Sequence, residues 1–243
     1  KGFYNETLIK SSIVVTNIKG IYSDHISTHV MSYVLSFSRG LHKYIKNQLN
    51  SKWGPIVPTI HLPDSTVLIV GVGGIGKETS RLCKEFGMKV FGVDPKTSEL
   101  KNIIEQIYVP SNLRDILPVV DFVISTVPET PNSKTMFSSH EFKLMKHTAY
   151  FINIGRGSTV SLNDLNQAID QGEIAGAALD VFETEPLPNN HPLWLQENVI
   201  ITPHVAAEGP YLEDRRTNIF ITNCIKFNKG EELINVVDKA QWF

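Results

Sequence analysis

Residues 66–76, TVLIVGVGGIG, constrain the fold of this chain more than any other stretch. The run TVLIVG is continuously apolar, as a strand covered on both faces would be, and it leads straight into Gly71, Gly73 and Gly76 in G-x-G-x-x-G spacing. Each glycine has a physical task. Gly71 permits the tight turn, Gly73 lets the backbone approach a pyrophosphate, and Gly76 lets the following helix pack against the strand. The amino terminus of that helix then presents unpaired N–H groups to phosphate oxygens. The next predicted strand, residues 89–94, ends at Asp94, about 20 residues beyond the glycines, where a carboxylate can hold the ribose hydroxyls of an adenosine. Methyltransferases and plain turns share the glycine spacing. The strand before it and the helix after it turn the reading toward a dinucleotide site. A carboxylate at Asp94 repels a 2′-phosphate, which favours NAD(H) over NADP(H), with the nearby Lys96 acting in the opposite sense.

Further apolar runs follow at residues 106–109, 121–126, 149–153, 176–181 and 198–202, with helical patterns over 113–117, 139–145 and 161–171. Strands alternating with helices imply right-handed crossovers and a parallel sheet, an α/β doubly wound fold. Ser161 followed by Asp164 predicts a capped helix start, although a capping box prefers Glu or Gln at that position. Upstream, residues 13–16 read as a short strand. From His25 to Asn50 the apolar residues Ile26, Val30, Val34, Phe37, Leu41, Ile45 and Leu49 recur every three or four positions, predicting one long amphipathic helix. A proline-rich connector separates it from the first sheet strand. After Pro210 the pattern is helical to about Asn228.

With 243 residues, 42% hydrophobic and 20% charged, the chain can bury a substantial core. A formal net charge of −2 gives no electrostatic footprint for nucleic acid or for an anionic membrane. No apolar run approaches the roughly 20 residues needed to span a bilayer. The two cysteines, Cys83 and Cys224, fit no metal spacing and are predicted to be buried and inert in a reduced, cytoplasmic protein. The absence of an initiator Met predicts a processed or truncated chain.

Three predicted strand ends carry ionisable groups: Arg156 in NIGRG, Asp180 and Glu185 in ALDVFETEP, and His204 in TPH. A guanidinium between two glycines at a strand end needs an anion, supplied either by a carboxylate of the chain or by a ligand. An Arg can fork onto a substrate carboxylate or carbonyl. A His can donate a proton to a carbonyl oxygen as hydride arrives, and a neighbouring carboxylate favours the charged imidazole that does so. The set suits reduction of a 2-oxoacid. His25 and His29 stand four residues apart, a metal-ligand spacing, but no third ligand is near and no metal is expected. Asp214-Arg215-Arg216 reads as a solvated helix face.

These residues resemble the D-isomer-specific 2-hydroxyacid dehydrogenase family, over nearly the whole sequence from Asn17 onward. The similar stretches are VVTNIKGIYSDHIST, the dinucleotide fingerprint LIVGVGGIGKETSRLCKEFGMKVFGVD, DFVISTVPETPNSKTMF with Pro128, Thr130 and Thr135 in place, FINIGRGSTVSLNDLNQAIDQGEIAGAALDVFETEPLP, and NVIITPH. The resemblance implies that Arg156 binds substrate, Glu185 is the carboxylate partner and His204 the acid–base. It implies cofactor contacts from Gly71, Gly73, Gly74, Ile75, Gly76, Asp94, Val127, Pro128, Thr135 and Ile154, and from Asp180 to the nicotinamide carboxamide. The carboxyl-terminal segment resembles the glyoxylate/hydroxypyruvate reductase branch, with its short tail ending in an aromatic residue, here Phe243. The formate dehydrogenase branch is disfavoured because it places Gln where Glu185 stands. The implied protein is an NAD-dependent reductase of small 2-oxoacids and a homodimer.

The resemblance implies a Rossmann domain over 17–208, with 1–16 and 209–243 as remnants of a flavodoxin-like substrate domain. Family members begin with most of that second domain, which this sequence lacks. Ser27-Thr28 stand where the family has Ala-Glu, which predicts altered anchoring of the helix rather than lost chemistry. Two other readings stay open: an NAD(H)-sensing interaction module, and a cofactor-binding fragment with little turnover.

Overall fold

The structure, a computed structural model, describes residues 6–96 and 103–239. The tail aromatic Phe243 lies outside the described residues. In chain order the helices are α1 (Glu6–Lys10), α2 (Ser23–Arg39), α3 (Leu41–Leu49), α4 (Gly74–Glu85), α5 (Leu113–Ile116), α6 (Ser139–Leu144), α7 (Leu162–Asp170) and α8 (Leu212–Lys229). The strands are β1 (Thr66–Val70), β2 (Lys89–Val93), β3 (Gln106–Tyr108), β4 (Phe122–Ser125), β5 (Tyr150–Asn153), β6 (Gly176–Leu179) and β7 (Val199–Ile201). Two compact units result: a larger one over Ser23–Ala207, and a smaller one made from the segments before and after it.

In the larger unit a seven-stranded parallel sheet has the order β3-β2-β1-β4-β5-β6-β7. The chain winds outward from β1 to β3, then returns to β4 on the other side of β1 and winds out to β7. This is the doubly wound Rossmann arrangement, and strand order reverses between β1 and β4. Ligands of such sheets bind past the carboxyl ends of the strands at that reversal. Register aligns Val70 with Ser125, Ser125 with Asn153, Asn153 with Leu179, and Leu179 with Ile201. Gly71, Thr126, Ile154, Asp180 and Thr202, each the next residue of its strand, therefore stand along one edge.

Burial of both sheet faces explains the continuous apolar strands. Leu68, Val123 and Phe151 join a core with Phe137, Phe142 and Leu165 from the crossover segments. Phe151 is fully buried, with the rings of Phe137 and Phe142 at 4.8 and 5.4 Å. Removing a side chain of this size from water contributes about 1.5–3 kcal/mol. Elsewhere in the unit, Phe37 of α2 stacks on Tyr150 at 4.3 Å.

Several sequence expectations are corrected. The stripe predicted as one helix from His25 to Asn50 is broken at Gly40, which adopts a left-handed φ of 67°. A Cβ there would come within 2.8 Å of Val57 Cγ1, so the break is built on the absence of a side chain. Ile26, Val30, Val34 and Phe37 are buried, whereas Leu41, Ile45 and Leu49 beyond the break are exposed. Ser161 caps α7 by accepting from Asp164 N, but the Asp164 carboxylate accepts instead from Ser139 N. The full capping box is Ser138 with Glu141 at the start of α6, where Glu is long enough to reach back.

In the smaller unit, residues 13–16 form no strand. A single antiparallel bridge joins Thr16 to Val236, flanked by bonds from Asn17 N to Asn235 O and from Val237 N to Val15 O. Arg215 and Arg216 are not a solvated face. Arg215 donates to Ile21 O at 2.7 Å, and Arg216 reaches the Tyr22 hydroxyl at 3.3 Å. Cys224 is exposed, contrary to expectation, while Cys83 is buried and its thiol is pushed up to about 12 by burial.

Candidate active site

The turn after β1 has the geometry its glycines predict. Gly71 has a left-handed φ of 94°. A Cβ on Gly76 would lie 2.1 Å from the Gly71 carbonyl oxygen, so only glycine allows α4 to sit this close to the turn. A Cβ on Gly73 would meet nothing within 4 Å, which leaves open space at the cap of α4. Gly74 and Ile75 begin the helix there, with first-turn N–H groups that have no intrahelical partner. The Asp94 carboxylate accepts from Val72 N and from Lys96 N, both at 2.8 Å, which fixes it beside the turn. The residues present therefore suit a dinucleotide: open backbone, a helix amino terminus and a carboxylate held beside the glycine turn.

The neighbouring strand ends are knitted to this turn. The Thr126 hydroxyl donates to Gly71 O at 2.5 Å. Gly155 is packed so closely that a Cβ would lie 2.5 Å from the Val127 carbonyl oxygen. Val127 and Ile154 are themselves buried at this edge. Pro128 O accepts from the Ser133 hydroxyl at 2.7 Å, closing the 128–133 turn. Thr135, in a left-handed conformation, donates its N–H to Ser158 O at 2.8 Å.

Arg156 follows from the same packing. Its two glycine neighbours are pressed against backbone: Gly155 against Val127, and Gly157 against Phe182, where a Cβ would lie 1.9 Å from the carbonyl carbon. Arg156 is the one side chain that can emerge from this turn. Asn153, fully buried at the end of β5, accepts from Gly155 N and donates to Arg156 O, which sets the turn. The guanidinium is exposed and donates to its own neighbour's carbonyl, Gly155 O, at 2.6 Å. Among the described residues it makes no ion pair, so the alternative of a buried pair with Glu185 or Asp180 does not hold.

His204 and Glu185 are brought together, with Nδ1 and Oε2 at 2.7 Å. An ionised carboxylate only accepts, so Nδ1 carries the hydrogen and Nε2 is left as the exchangeable position. The second carboxylate oxygen of Glu185 accepts from Phe182 N at 3.0 Å. Burial works against the Glu185 charge, but the bonds from His204 and Phe182 and the charges of His204 and Arg156 outweigh it and hold the carboxyl below its usual range. Arg156 thus acts electrostatically on the pair without touching it. His204 sits at a left-handed φ of 55°.

Asp180 occupies a different environment. It is 1% exposed. Its Oδ1 accepts from the Thr202 hydroxyl at 2.5 Å and from Val205 N at 2.8 Å, and its Oδ2 accepts from Ala206 N at 2.9 Å. It therefore pins the loop that carries His204. Sequence reasoning did not anticipate this role, nor the contribution of Thr202, His29 and Tyr33 to the same cluster. The available signal was a His and a Tyr four residues apart on the buried side of α2. Among the described residues no three His, Cys, Asp or Glu side chains are placed to hold a metal ion.

A family model described as "D-isomer specific 2-hydroxyacid dehydrogenase, NAD binding domain" matches residues 31–206. The chain is 33% identical over 236 residues to a glyoxylate reductase of Thermofilum pendens, covering 95% of this chain and 69% of the relative. It is 32% identical over 231 residues to the glyoxylate reductase/hydroxypyruvate reductase of Mus musculus, covering 92% of this chain and 70% of that protein. Among solved structures, a probable 2-hydroxyacid dehydrogenase from Rhizobium etli, in complex with NADP, HEPES and L(+)-tartaric acid, superposes with a TM-score of 0.87. It is 27% identical, over 98% of this chain and 77% of that one.

Proposed function

Because the chain belongs to the D-isomer-specific 2-hydroxyacid dehydrogenase family, we propose that it reduces small 2-oxoacids of the glyoxylate and hydroxypyruvate type with NADH. It is an oxidoreductase that works with a nicotinamide dinucleotide. The observation that carries the substrate chemistry is the Glu185–His204 contact of 2.7 Å on the strand-end edge that also carries an ion-pair-free Arg156.

A bound nicotinamide would supply the hydride that C2 of the substrate takes up. Arg156 forks onto the substrate carboxylate or carbonyl and orients it. His204 Nε2 holds the proton that passes to the carbonyl oxygen, and in the reverse reaction the neutral ring accepts it. Glu185 fixes the tautomer and stabilises the imidazolium. Gly71, Gly73, Gly74, Ile75 and Gly76 carry the pyrophosphate, and Asp94 the adenosine ribose. Val127, Pro128, Thr135 and Ile154 line the cofactor. Asp180 has one acceptor position left, on Oδ2, for the carboxamide.

NAD(H) is favoured because Asp94 stands where a 2′-phosphate would bring charge, although the Rhizobium relative's structure holds NADP. The smaller unit corresponds in this reading to part of a substrate domain. A homodimer is supported by the exposed apolar side chains Leu41, Ile45 and Leu49 of α3. A cytoplasmic setting is supported by two cysteines that form no disulfide.

The test is oxidation of NADH and of NADPH by this chain with glyoxylate, hydroxypyruvate, pyruvate and bulkier 2-oxoacids. Turnover with the two small substrates and a preference for NADH is the expected result. Tight NADH binding with no turnover on any 2-oxoacid would contradict the reductase reading and favour a cofactor-binding fragment or a sensing module.

A further inference from the structure

A hydrogen-bonded line runs through the larger unit behind the residues that the reaction itself needs. His29 and Tyr33 lie one turn apart on α2, with their rings edge to face at 4.7 Å. His29 Nε2 is 2.8 Å from the Tyr33 hydroxyl and 3.2 Å from Thr202 Oγ1. The Tyr33 hydroxyl is 2.5 Å from Thr202 Oγ1, and the Thr202 hydroxyl donates to Asp180 Oδ1. Asp180 then takes the N–H groups of Val205 and Ala206, the two residues after His204.

The donors in this line can be ordered from its acidic end. Asp180, accepting two backbone N–H groups, is a carboxylate and can only accept. Thr202 therefore gives its proton to Asp180, so its oxygen accepts from Tyr33. The Tyr33 oxygen in turn accepts from His29 Nε2–H. Burial raises the Tyr33 phenol, with the Thr202 bond opposing and the Asp180 charge adding, so Tyr33 remains a donor. Burial lowers the His29 imidazole against the pull of Asp180, so it carries a single ring proton. Tyr33 itself is 3% exposed, and its hydroxyl would be costly to bury without these partners. A line with one consistent direction leaves the Asp180 oxygens a fixed geometry toward the loop.

We propose that Tyr33, with His29 behind it, is a positioning residue for His204. Its hydroxyl orients Thr202 onto Asp180, and Asp180 holds the Val205 and Ala206 amides that keep His204 in its left-handed turn against Glu185. This inference rests on the acid–base role proposed for His204. Tyr33 touches none of the groups assigned to substrate, and it acts through Thr202 and Asp180.

The test compares wild type with Tyr33→Phe, Thr202→Val and Thr202→Ser. Amide hydrogen exchange is read at Val205 and Ala206, with the amides of β1 and β5 as internal reference. In Tyr33→Phe the two loop amides exchange about 2- to 10-fold faster, the range set by loss of one net hydrogen bond, while the reference amides keep their rates. Thr202→Val gives a larger acceleration, and Thr202→Ser, which keeps the hydroxyl, restores wild-type exchange. With glyoxylate and NADH, kcat falls by a similar factor in Tyr33→Phe. Wild-type exchange at Val205 and Ala206 in both Tyr33→Phe and Thr202→Val would overturn the proposal. So would acceleration of loop and reference amides together, which marks only a loss of global stability. Should Tyr33→Phe fail to fold, the Thr202 pair decides: equal exchange in Val and Ser variants removes the line from the account. Exchange needs no turnover, so a wild type that reduces no 2-oxoacid contradicts the proposed function separately.

Discussion

At the carboxyl end of β1 the working surface is backbone, whereas at the ends of β5 to β7 it is charged side chains. The first region functions through what its residues lack. Gly73 leaves open space, Gly76 lets α4 approach within a distance that forbids a Cβ, and the Asp94 carboxylate is held beside the turn by Val72 N. In the proposed reaction the second region uses Arg156, Glu185 and His204, which share one edge because register brings the ends of β5, β6 and β7 to one level. Glycine serves there too, but as packing: Gly155 and Gly157 press against Val127 and Phe182 so that Arg156 alone projects. A cradle made of backbone is tolerant of pH and intolerant of added atoms. A cluster made of charges is the reverse.

That contrast can be broken most severely at Gly76. Gly76→Ala places a methyl 2.1 Å from Gly71 O, and overpacking of this kind costs about 1–3 kcal/mol. Urea unfolding should show a lowered midpoint, and an NADH titration should show affinity reduced by at least tenfold. Glu185→Gln leaves a hydrogen-bonding side chain beside His204 but removes its charge. Turnover with glyoxylate should fall about tenfold or more, with NADH affinity unchanged, as steady-state kinetics and fluorescence titration would show.

Asp94→Asn keeps one acceptor for the turn and removes the charge. The ratio of NADH to NADPH efficiency should narrow by about tenfold, a change of roughly 1.4 kcal/mol. A smaller effect concerns acid. The Glu185 carboxyl is held below its usual range in the folded protein, so its pairing stabilises the fold above the ordinary carboxylate pKa and is lost as pH falls through the lowered value. The melting-temperature gap between wild type and Glu185→Gln should therefore close on acidification below about pH 4. Because the pair is half exposed, the gap itself is small.

The contrast also explains what was legible in the sequence. Strands buried on both faces, such as β4 and β6, appear as continuous apolar runs, and all seven sheet strands were read to within a few residues. The glycine turn was legible because its meaning is local. Arg156, Glu185 and His204 were visible as ionisable groups at strand ends, but their assignment came from family resemblance, since no local pattern says that Glu185 faces His204. The role of Asp180 was hidden because its partners, Val205 and Ala206, are backbone groups on another strand end. The exposed stripe of α3 was misread because the apolar spacing continues across Gly40, while the helix does not. Tyr33 drew no reading from the sequence, because only the fold shows what its hydroxyl meets.

In the proposed reaction, proton chemistry resides in the Glu185–His204 pair and cofactor binding in the glycine turn. The most direct test measures glyoxylate reduction, oxidation of the corresponding 2-hydroxyacid and NADH affinity side by side, between about pH 5 and 8, where an imidazole changes charge. Reduction should weaken as pH rises, oxidation should strengthen, and NADH affinity should stay level. Reduction that strengthens and oxidation that weakens as pH rises, or NADH affinity that falls in step with reduction, would contradict this assignment.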